Sequence, residues 1–421
     1  MRPQGLQPAR AGDRRPGRDL RPGRALQPRH RRHGQAPGQA RRRAPPRPLP
    51  LPRRRRRPLE RDPPLSKRKL QIRPLQVEDY PRGQRTNLLL PLSQRALGTP
   101  VQVPFIVVRG AQPGPVLGIS AAVHGNELNG IRIIHHLLEG LDPDGLRGAL
   151  VCAPVANVPA FEAGIRRFPE DGVDLNHVFP GKAEGTPSQQ YARALYKTFI
   201  GPLDYLIDIH TASEGRVNTM YVRADLHSQS CREMALLMNP QIILHGRSGD
   251  GTLRNAARAN DVPAITVEAG NPSVFQGRMA LEGEFGLLKV MTALGMIKEP
   301  GLPDSNIREP LICKSSRWLR TRSGGLLETH FALGQKVVKK QLLAEIHNAF
   351  GEVTASFKAP SDGVVIGMSR NPLSVPGMRF CHLGSLGEPA PPKQPRTGRM
   401  VRHLAETGTT LLPERGEPPS T

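Results

Sequence analysis

Three short apolar runs, each leading into polar residues, place the strongest constraint on the fold of this chain. They are PGPVLGISAAVHG, DYLIDIHTAS and VPAITVEAG, and Pro, Gly or other small residues bound them. Such near-continuous apolar runs are typical of strands that a parallel or mixed sheet buries on both faces. Helical patterns separate them, as in NELNGIRIIHHLLEGL. We therefore predict an α/β fold, a mixed sheet flanked by helices, within a domain spanning 71–300.

The pattern changes after the segment KEPGLPDSNIREP. Between 311 and 386 short apolar stretches alternate with Gly, Pro and Asp, and no long helical pattern occurs. This predicts a separate small all-β domain over 311–386. The polar, Pro-rich residues 387–421 are expected to form a loose C-terminal tail.

The positive charge of the chain is concentrated at its N-terminus. Residues 1–70 contain 23 Lys and Arg against 4 Asp and Glu, so they hold +19 of the formal charge of +24. Few aromatic or β-branched residues accompany these charges, and we expect a disordered basic tail. It could bind nucleic acid or an anionic membrane only through its charge, because aromatic residues for base stacking are missing. The alternative is an extension without a function, and no specific nucleic-acid partner is expected.

Membrane insertion and disulfide bonding are not expected. No run of about 18 apolar residues occurs, and no apolar segment of the secretory type follows the first arginines. The four cysteines are widely spaced and show no CxxC pairing. They are typical of reduced thiols in a cytoplasmic protein.

A His-x-x-Glu pair at the end of the first apolar run is the first candidate for a metal site. The same spacing occurs at His136–Glu139 and His403–Glu406. Only His124 and Glu127 stand at a predicted strand end, where α/β sheets collect their ligands. Position rather than spacing therefore singles out this pair.

The second apolar run supplies a third ligand. A catalytic zinc takes three protein ligands and keeps one site open, and two His with one Glu is a known set. His210 ends the strand of DYLIDIHTAS, and Asp208 lies on the same strand face, where it could orient the imidazole. We predict one zinc ion per chain, held by His124, Glu127 and His210.

Further polar residues stand near this predicted centre. Glu268 ends the third apolar run and could act as the general base for a metal-activated water. The loop GIRRFPEDGVDLNHVFPG contains Arg166 and Arg167, and an arginine there could polarise a carbonyl or bind a carboxylate.

The motifs VHGNELNG, DLN-x-x-FPG, DIHTAS and VEAG together resemble those of the succinylglutamate desuccinylase/aspartoacylase family of zinc deacylases. This resemblance covers 98–299 and implies a carboxypeptidase A-like fold. It also implies zinc bound by the three residues above, Glu268 as the general base and Asn176 in substrate binding. The carbonyl-polarising arginine would be Arg167, with Arg166 as the alternative.

One position departs from the family pattern. The family usually reads DLNR, whereas His177 replaces the arginine that helps to grip the substrate carboxylate. A neutral imidazole is not equivalent to a guanidinium. The substrate is then less acidic, or another basic residue such as Arg254 or Arg258 compensates.

The C-terminal region resembles the barrel-sandwich of biotinyl and lipoyl domains. Those domains carry a modified lysine at a hairpin tip, and the corresponding tip here, 348–351, reads NAFG without a lysine. We therefore expect a shielding or assembly function for this accessory region, not a swinging arm.

These features together predict a zinc-dependent amidohydrolase that cleaves a small acylamino compound, with homo-oligomerisation possible. The alternatives are a metallocarboxypeptidase acting on peptides, a binding protein that keeps the fold without the activity, and a nucleic-acid binder acting through the tail. If the protein binds nucleic acid through the tail, deleting 1–70 would abolish this salt-dependent binding. If it is the amidohydrolase, the same deletion would leave hydrolysis intact.

Overall fold

The structure, a computed structural model, describes residues 72–246, 251–298 and 307–391. The predicted basic tail and residues 392–421 of the predicted C-terminal tail lie outside these ranges. All described residues belong to one compact unit that begins at Pro63.

Seventeen strands form two sheets in this part of the chain. The strands of the N-terminal half are β1 (Gln84–Gln94), β2 (Pro100–Arg109), β3 (Gln112–Ala121), β4 (Arg147–Ala153), β5 (Tyr205–His210), β6 (Arg216–Asn218), β7 (Tyr221–Ala224), β8 (Ile242–His245) and β9 (Ala264–Glu268). Those of the C-terminal half are β10 (Leu311–Arg320), β11 (Gly325–Thr329), β12 (Lys336–Val337), β13 (Leu342–His347), β14 (Val353–Lys358), β15 (Gly363–Ser369), β16 (Leu373–Ser374) and β17 (Arg379–Leu386).

The three apolar runs form the centre of the larger sheet. Its order is β1-β2-β4-β3-β5-β9-β7-β8-β10-β17-β15-β12. Strands β4, β3, β5 and β9 are mutually parallel, whereas β7 runs antiparallel to β9. The sheet is therefore mixed, and the carboxyl ends of β3, β5 and β9 meet at one edge.

Helices cover both faces of this sheet. They are α1 (Asn129–Glu139), α2 (Val158–Glu162), α3 (Pro187–Phe199), α4 (Gln229–Leu237), α5 (Leu253–Arg258) and α6 (Gly277–Ala293). Residues of α1, α4 and α6 share one apolar core with the sheet, and residues of α3 and α5 share the other. The predicted fold class, a mixed sheet between helices, is confirmed.

The C-terminal all-β region is continuous with the larger sheet of the N-terminal half. Strand β10 pairs in parallel with β8, and β6 pairs with β15, so hydrogen bonds join the two halves. A second, four-stranded antiparallel sheet has the order β14-β13-β11-β16. Side chains from both sheets, among them Leu343 and Phe380, form a core between them. The all-β region follows the N-terminal half as expected, and one sheet runs through both.

Candidate active site

The turn after β3 carries two of the predicted ligands. His124 and Glu127 are 3% and 1% exposed. A close approach of this turn to α2 requires glycine at position 125, because a Cβ there would come within 2.0 Å of the carbonyl carbon of Ala160. Chain packing therefore fixes both ligands before any ion binds.

The neighbouring strands bring up the other predicted residues. His210 ends β5 and is 3% exposed, and its Cα partner across the parallel ladder is Glu268, the last residue of β9. Three adjacent strands that end at one edge thus bring the candidate ligands and the candidate base together.

The side chains of His124, Glu127 and His210 converge at the buried ends of these strands. The Nδ1 atoms of His124 and His210 are 3.2 Å apart, and each lies 2.9 Å from an oxygen of Glu127. Arg166 Nη1 donates to Glu127 Oε1 at 2.6 Å, and the backbone N–H of Thr211 donates to Oε2 at 3.1 Å. Two imidazoles and one carboxylate are the donor set of catalytic zinc sites.

A carboxylate holds the far nitrogen of each imidazole. His124 Nε2 lies 2.8 Å from Asp174 Oδ1, and His210 Nε2 lies 2.8 Å from Asp208 Oδ2. In the neutral tautomer that donates from Nε2 to these carboxylates, each ring directs its Nδ1 lone pair towards the other ring and Glu127. Two such lone pairs and a carboxylate can bind one metal ion between them, so these residues fit a metal ion.

The electrostatics of the ligands agree with this arrangement. Burial lowers the pKa of His210, but Asp208 and Glu127 outweigh it, so the pKa lies well above the ordinary histidine value. Burial raises the pKa of Glu127, but the two histidines reverse the shift and hold it below the ordinary carboxyl range. The cluster therefore favours positive charge at its centre.

Glu268 lines the cavity into which His124, Glu127 and His210 also face. Burial raises its pKa above the ordinary carboxyl value, and the positive charges of Arg223 and His210 offset part of the shift. Arg223 Nε lies 3.6 Å from one carboxylate oxygen, and Asn218 Nδ2 donates to the other at 3.4 Å. A carboxylate with a raised pKa, held beside the ligand cluster, is suited to accept and return a proton.

The two candidate arginines of the loop differ in their placement. Arg167 is exposed, donates to the carbonyl of Gly172 at 3.0 Å and does not line the cavity. Arg166 is half-buried, lines the cavity and also lies 2.9 Å from Asp174 Oδ2. The guanidinium that reaches the cluster is thus the alternative named from the sequence, Arg166.

The DLN segment forms another wall. Asn176 Nδ2 lies 3.4 Å from His210 Nε2, and its Oδ1 accepts from the backbone N–H of Leu253 at 2.8 Å. His177 also lines the cavity but is itself exposed.

Of the two arginines that could compensate for His177, the structure brings one into the cavity. Arg254 lines it and is buried, and its Nη1 donates to the carbonyl of Gly246 at 3.0 Å. Arg258 does not line it and pairs with Asp225 Oδ2 at 3.1 Å.

The cavity has a volume of about 340 Å³ and draws its walls from both halves of the chain. Trp318 of β10 and Arg379 of β17 line it, together with Arg216 and Asn218 of β6. Sequence reasoning missed these residues, and no local pattern points to them, because long-range strand pairing brings them to the site.

Of the other two His-x-x-Glu pairs, the one that the structure describes, His136–Glu139, does not belong to this site. His136 lies in α1 and faces Glu284 of α6 at 3.6 Å. His403–Glu406 lies outside the described residues.

A second group of side chains that could bind a metal consists of Asp225, His227 and His245. Both oxygens of Asp225 accept hydrogen bonds, from the backbone N–H of His227 and from Arg258 Nη1. His245 Nδ1 accepts from the backbone N–H of Leu226 at 3.2 Å, which leaves the proton of the neutral ring on Nε2. This tautomer offers no lone pair to an ion.

Comparison with known proteins agrees with this geometry. Residues 113–294 match the succinylglutamate desuccinylase/aspartoacylase catalytic domain. An N-alpha-acetyl-L-2,4-diaminobutyric acid deacetylase of Halomonas elongata is 24% identical over 304 residues, covering 68% of this chain and 87% of the relative.

Solved structures share the fold. A succinylglutamate desuccinylase from Silicibacter sp. matches with a TM-score of 0.65 at 22% identity, covering 73% of this chain and 97% of that one. The product-bound ectoine utilization protein EutE (DoeB) from Ruegeria pomeroyi matches with a TM-score of 0.65 at 23% identity, covering 72% and 96%. The segment that matches the succinylglutamate desuccinylase/aspartoacylase catalytic domain, 113–294, thus contains the buried cluster of His124, Glu127 and His210.

Proposed function

We propose that this protein is a zinc-dependent hydrolase that cleaves the amide bond of an N-acyl amino acid or a related acylamino compound. The observation that carries the proposal is the convergence of the Nδ1 atoms of His124 and His210 on Glu127, with a carboxylate behind each ring. One zinc ion per chain would be held by these three residues. The match to the family's catalytic domain and the deacetylase relative support amide hydrolysis.

The chain itself supplies the proton transfers. When bound, zinc lowers the pKa of a coordinated water and polarises the substrate carbonyl. Glu268 accepts a proton from the attacking water and delivers it to the leaving nitrogen as the amide bond breaks. Water and amide thereby become a carboxylate and an amine. The raised pKa of Glu268 suits a group that must hold this proton between the two transfers.

Arg166 and the DLN segment would position the substrate. The Arg166 guanidinium reaches the metal-binding cluster, so we assign to it the stabilisation of the negative charge that develops on the carbonyl oxygen. Asn176 lines the same wall and offers an amide for substrate binding, and His177 lies beside it. Arg254 is the further cation on this side of the cavity.

Location in the cytoplasm belongs to the same proposal. It is supported by the four cysteines, which are all buried free thiols. None of the described helices has the length and apolar character needed to span a membrane.

Elemental analysis of the purified full chain, beside a His210→Ala variant, tests the metal site. We expect about one zinc per chain in the parent and a loss in the variant. A parent protein that takes up no zinc, even when zinc is supplied and the excess removed, would refute the hydrolase.

Product release then tests the reaction. N-acyl amino acids and short peptides are assayed with the parent and with Glu268→Gln, which should retain zinc and lose turnover. Peptide cleavage in place of acyl amino acid cleavage would instead identify a metallocarboxypeptidase. Near-normal rates of hydrolysis in Glu268→Gln would contradict the assignment of Glu268 as the general base.

A further inference from the structure

Two polar side chains that the proposed reaction does not use stand beside Glu268 on the cavity wall. Strand β7 pairs antiparallel with β9, and its register sets Tyr221 opposite Glu268 and Arg223 opposite Thr266. Residues two apart on a strand share a face, and all four of these side chains line the cavity. The sheet itself therefore brings a phenol and a guanidinium to the candidate base.

Glu268 requires a counter-charge in this position. Burial raises the pKa of its carboxyl group, and the negative charge of Glu127 adds to the rise. The positive charge of Arg223 lowers the pKa of Glu268 more than the charges of His210 and Arg166 do. Within the described ranges, Arg223 is also the cation that pairs with this carboxylate inside 4.0 Å. It thus supplies the main charge that a buried carboxylate needs.

The placement of the guanidinium differs from that of a closed ion pair. Arg223 Nε lies 3.6 Å from Glu268 Oε1, which is longer than a hydrogen bond. Asn218 Nδ2 donates to the other oxygen only at 3.4 Å. A bidentate guanidinium would engage both oxygens closely and make the carboxylate a weaker base. At the observed distances Arg223 stabilises the charge of the carboxylate and leaves it lone pairs with which to accept a proton.

Tyr221 holds the guanidinium in this position. Arg223 Nη2 donates to the Tyr221 hydroxyl at 2.8 Å, and the guanidinium carbon lies 5.2 Å from the centroid of the same ring. Burial raises the pKa of Tyr221, so the hydroxyl keeps its proton and adds no negative charge. The ring is 2% exposed and meets the His382 ring edge-on, with the centroids 6.2 Å apart. A fixed phenol therefore keeps Arg223 from closing on Glu268.

We propose that Arg223, held by Tyr221, positions Glu268 for proton transfer and acts through this carboxylate rather than on the substrate. This inference rests on the proposed function and adds a positioning residue to it. The guanidinium would hold the carboxylate at the cavity wall beside the metal-binding cluster, and Tyr221 would set the distance between the two charges. Strand β7 thereby contributes to the chemistry, although the three predicted ligands lie on other elements.

Steady-state kinetics on the zinc-loaded full chain test this role. With the best N-acyl amino acid as substrate, Arg223→Met should lower kcat about 100-fold and leave KM within about threefold, because proton transfer is impaired and substrate binding is kept. Arg223→Lys keeps the charge and should retain a kcat within about tenfold of the parent. Tyr221→Phe keeps the ring but removes the acceptor of Arg223, and kcat should fall about tenfold.

Arg308→Met is the matched control. Arg308 pairs with Glu282 at 2.8 Å and does not line the cavity, so its replacement should leave kcat within about twofold. Zinc content should remain about one per chain in every variant, which separates a loss of the base from a loss of metal.

A double-mutant cycle shows whether Arg223 acts through Glu268. In a Glu268→Gln background, Arg223→Met should change the residual kcat by less than about twofold, because the group that it positions is already missing. A further loss of about 100-fold would overturn the proposal, since Arg223 would then act independently of the base.

Three results with the single variants would also overturn it. One is an Arg223→Met variant with the kcat of the parent. Another is a higher KM at unchanged kcat, which would place the guanidinium on the substrate. The third is an equal loss in Arg223→Met and Arg223→Lys, which would show that Arg223 supplies packing and not charge.

Crystal structures of the parent and of Arg223→Met give a readout that does not depend on turnover. The Glu268 carboxylate should leave its place at the cavity wall in the variant. If the parent turns over no substrate, which is the failure of the proposed function, this comparison still decides. A Glu268 carboxylate in the same place in both structures would refute the positioning.

Discussion

Replacing Asp208 with Asn should weaken zinc binding without unfolding the protein. Asp208 is fully buried and accepts from His210 Nε2 at 2.8 Å and from Ser120 Oγ at 2.7 Å. The substitution keeps the shape but removes the charge that holds the proton on Nε2. A hydrogen bond to a charged group is worth about 1.5–3 kcal/mol, and burial excludes the screening that would reduce it. Each 1.4 kcal/mol is about tenfold in affinity, so we expect zinc to bind about 10- to 100-fold more weakly.

Competition against a chromophoric zinc chelator measures this affinity directly. The matched control is Ser120→Ala, which removes the other hydrogen bond of the same carboxylate and leaves its charge on His210. It should change zinc affinity by less than about threefold, because this hydrogen bond does not touch the ligand and its loss leaves the carboxylate charge beside His210. Parental zinc affinity in Asp208→Asn, with the metal-free protein still folded by thermal unfolding, would refute the argument that this carboxylate orients the ligand.

Three further predictions follow from the same geometry. Arg166→Met should lower kcat/KM on the best acylamino substrate by about 100-fold. Arg167→Met is the control and should leave kcat/KM within about twofold, since Arg167 lies outside the cavity. Equal effects of the two substitutions would contradict the role assigned to Arg166. Burial and nearby arginines lower the pKa of His382 to about 3 in the folded state, whereas the same residue in the unfolded chain takes up a proton below about pH 6.5. The free energy of unfolding should therefore fall between about pH 6.5 and 3, by at most about 1.4 kcal/mol per pH unit. Urea titrations should show that the free energy of unfolding of His382→Gln depends less steeply on pH across this range. Gly125→Ala should lower the free energy of unfolding by about 1–3 kcal/mol because its Cβ meets the backbone of α2, whereas Gly140→Ala, with no atom within 4 Å of the added Cβ, serves as the control and should not destabilise.

The central strands and the ligand cluster could be predicted from the sequence because local pattern determines both. Strands β3, β5 and β9 read as apolar runs since neighbours cover both faces, and polar residues at their ends are conspicuous. Parallel strands in one sheet bring those ends together, so His124 and His210 could be paired without knowledge of the loops. Carboxyl ends of neighbouring parallel strands always lie at one edge of a sheet, and the apolar runs alone identify those strands.

The outer walls of the cavity could not be predicted in this way. Arg216, Trp318 and Arg379 meet only because β6 pairs with β15 and β10 pairs with β17 and β8. One sequence contains no record of such long-range pairing. Which of Arg166 and Arg167 reaches the cavity could not be predicted for a different reason, since adjacent residues of an irregular loop point in directions that only its backbone conformation decides.

Sheet continuity between the two halves has a consequence for the order in which the protein matures during synthesis. The strands that carry the metal ligands leave the ribosome well before β17, which supplies Arg379 and lies between β10 and β15 in the sheet. Until β10 arrives, the outer side of β8 is an unpaired strand edge, a known template for association with other chains. Non-local pairing of this kind also forms slowly. A nascent chain can therefore bring His124, Glu127 and His210 together early, but the outer wall of the cavity is complete only when the last strand of the C-terminal region has docked.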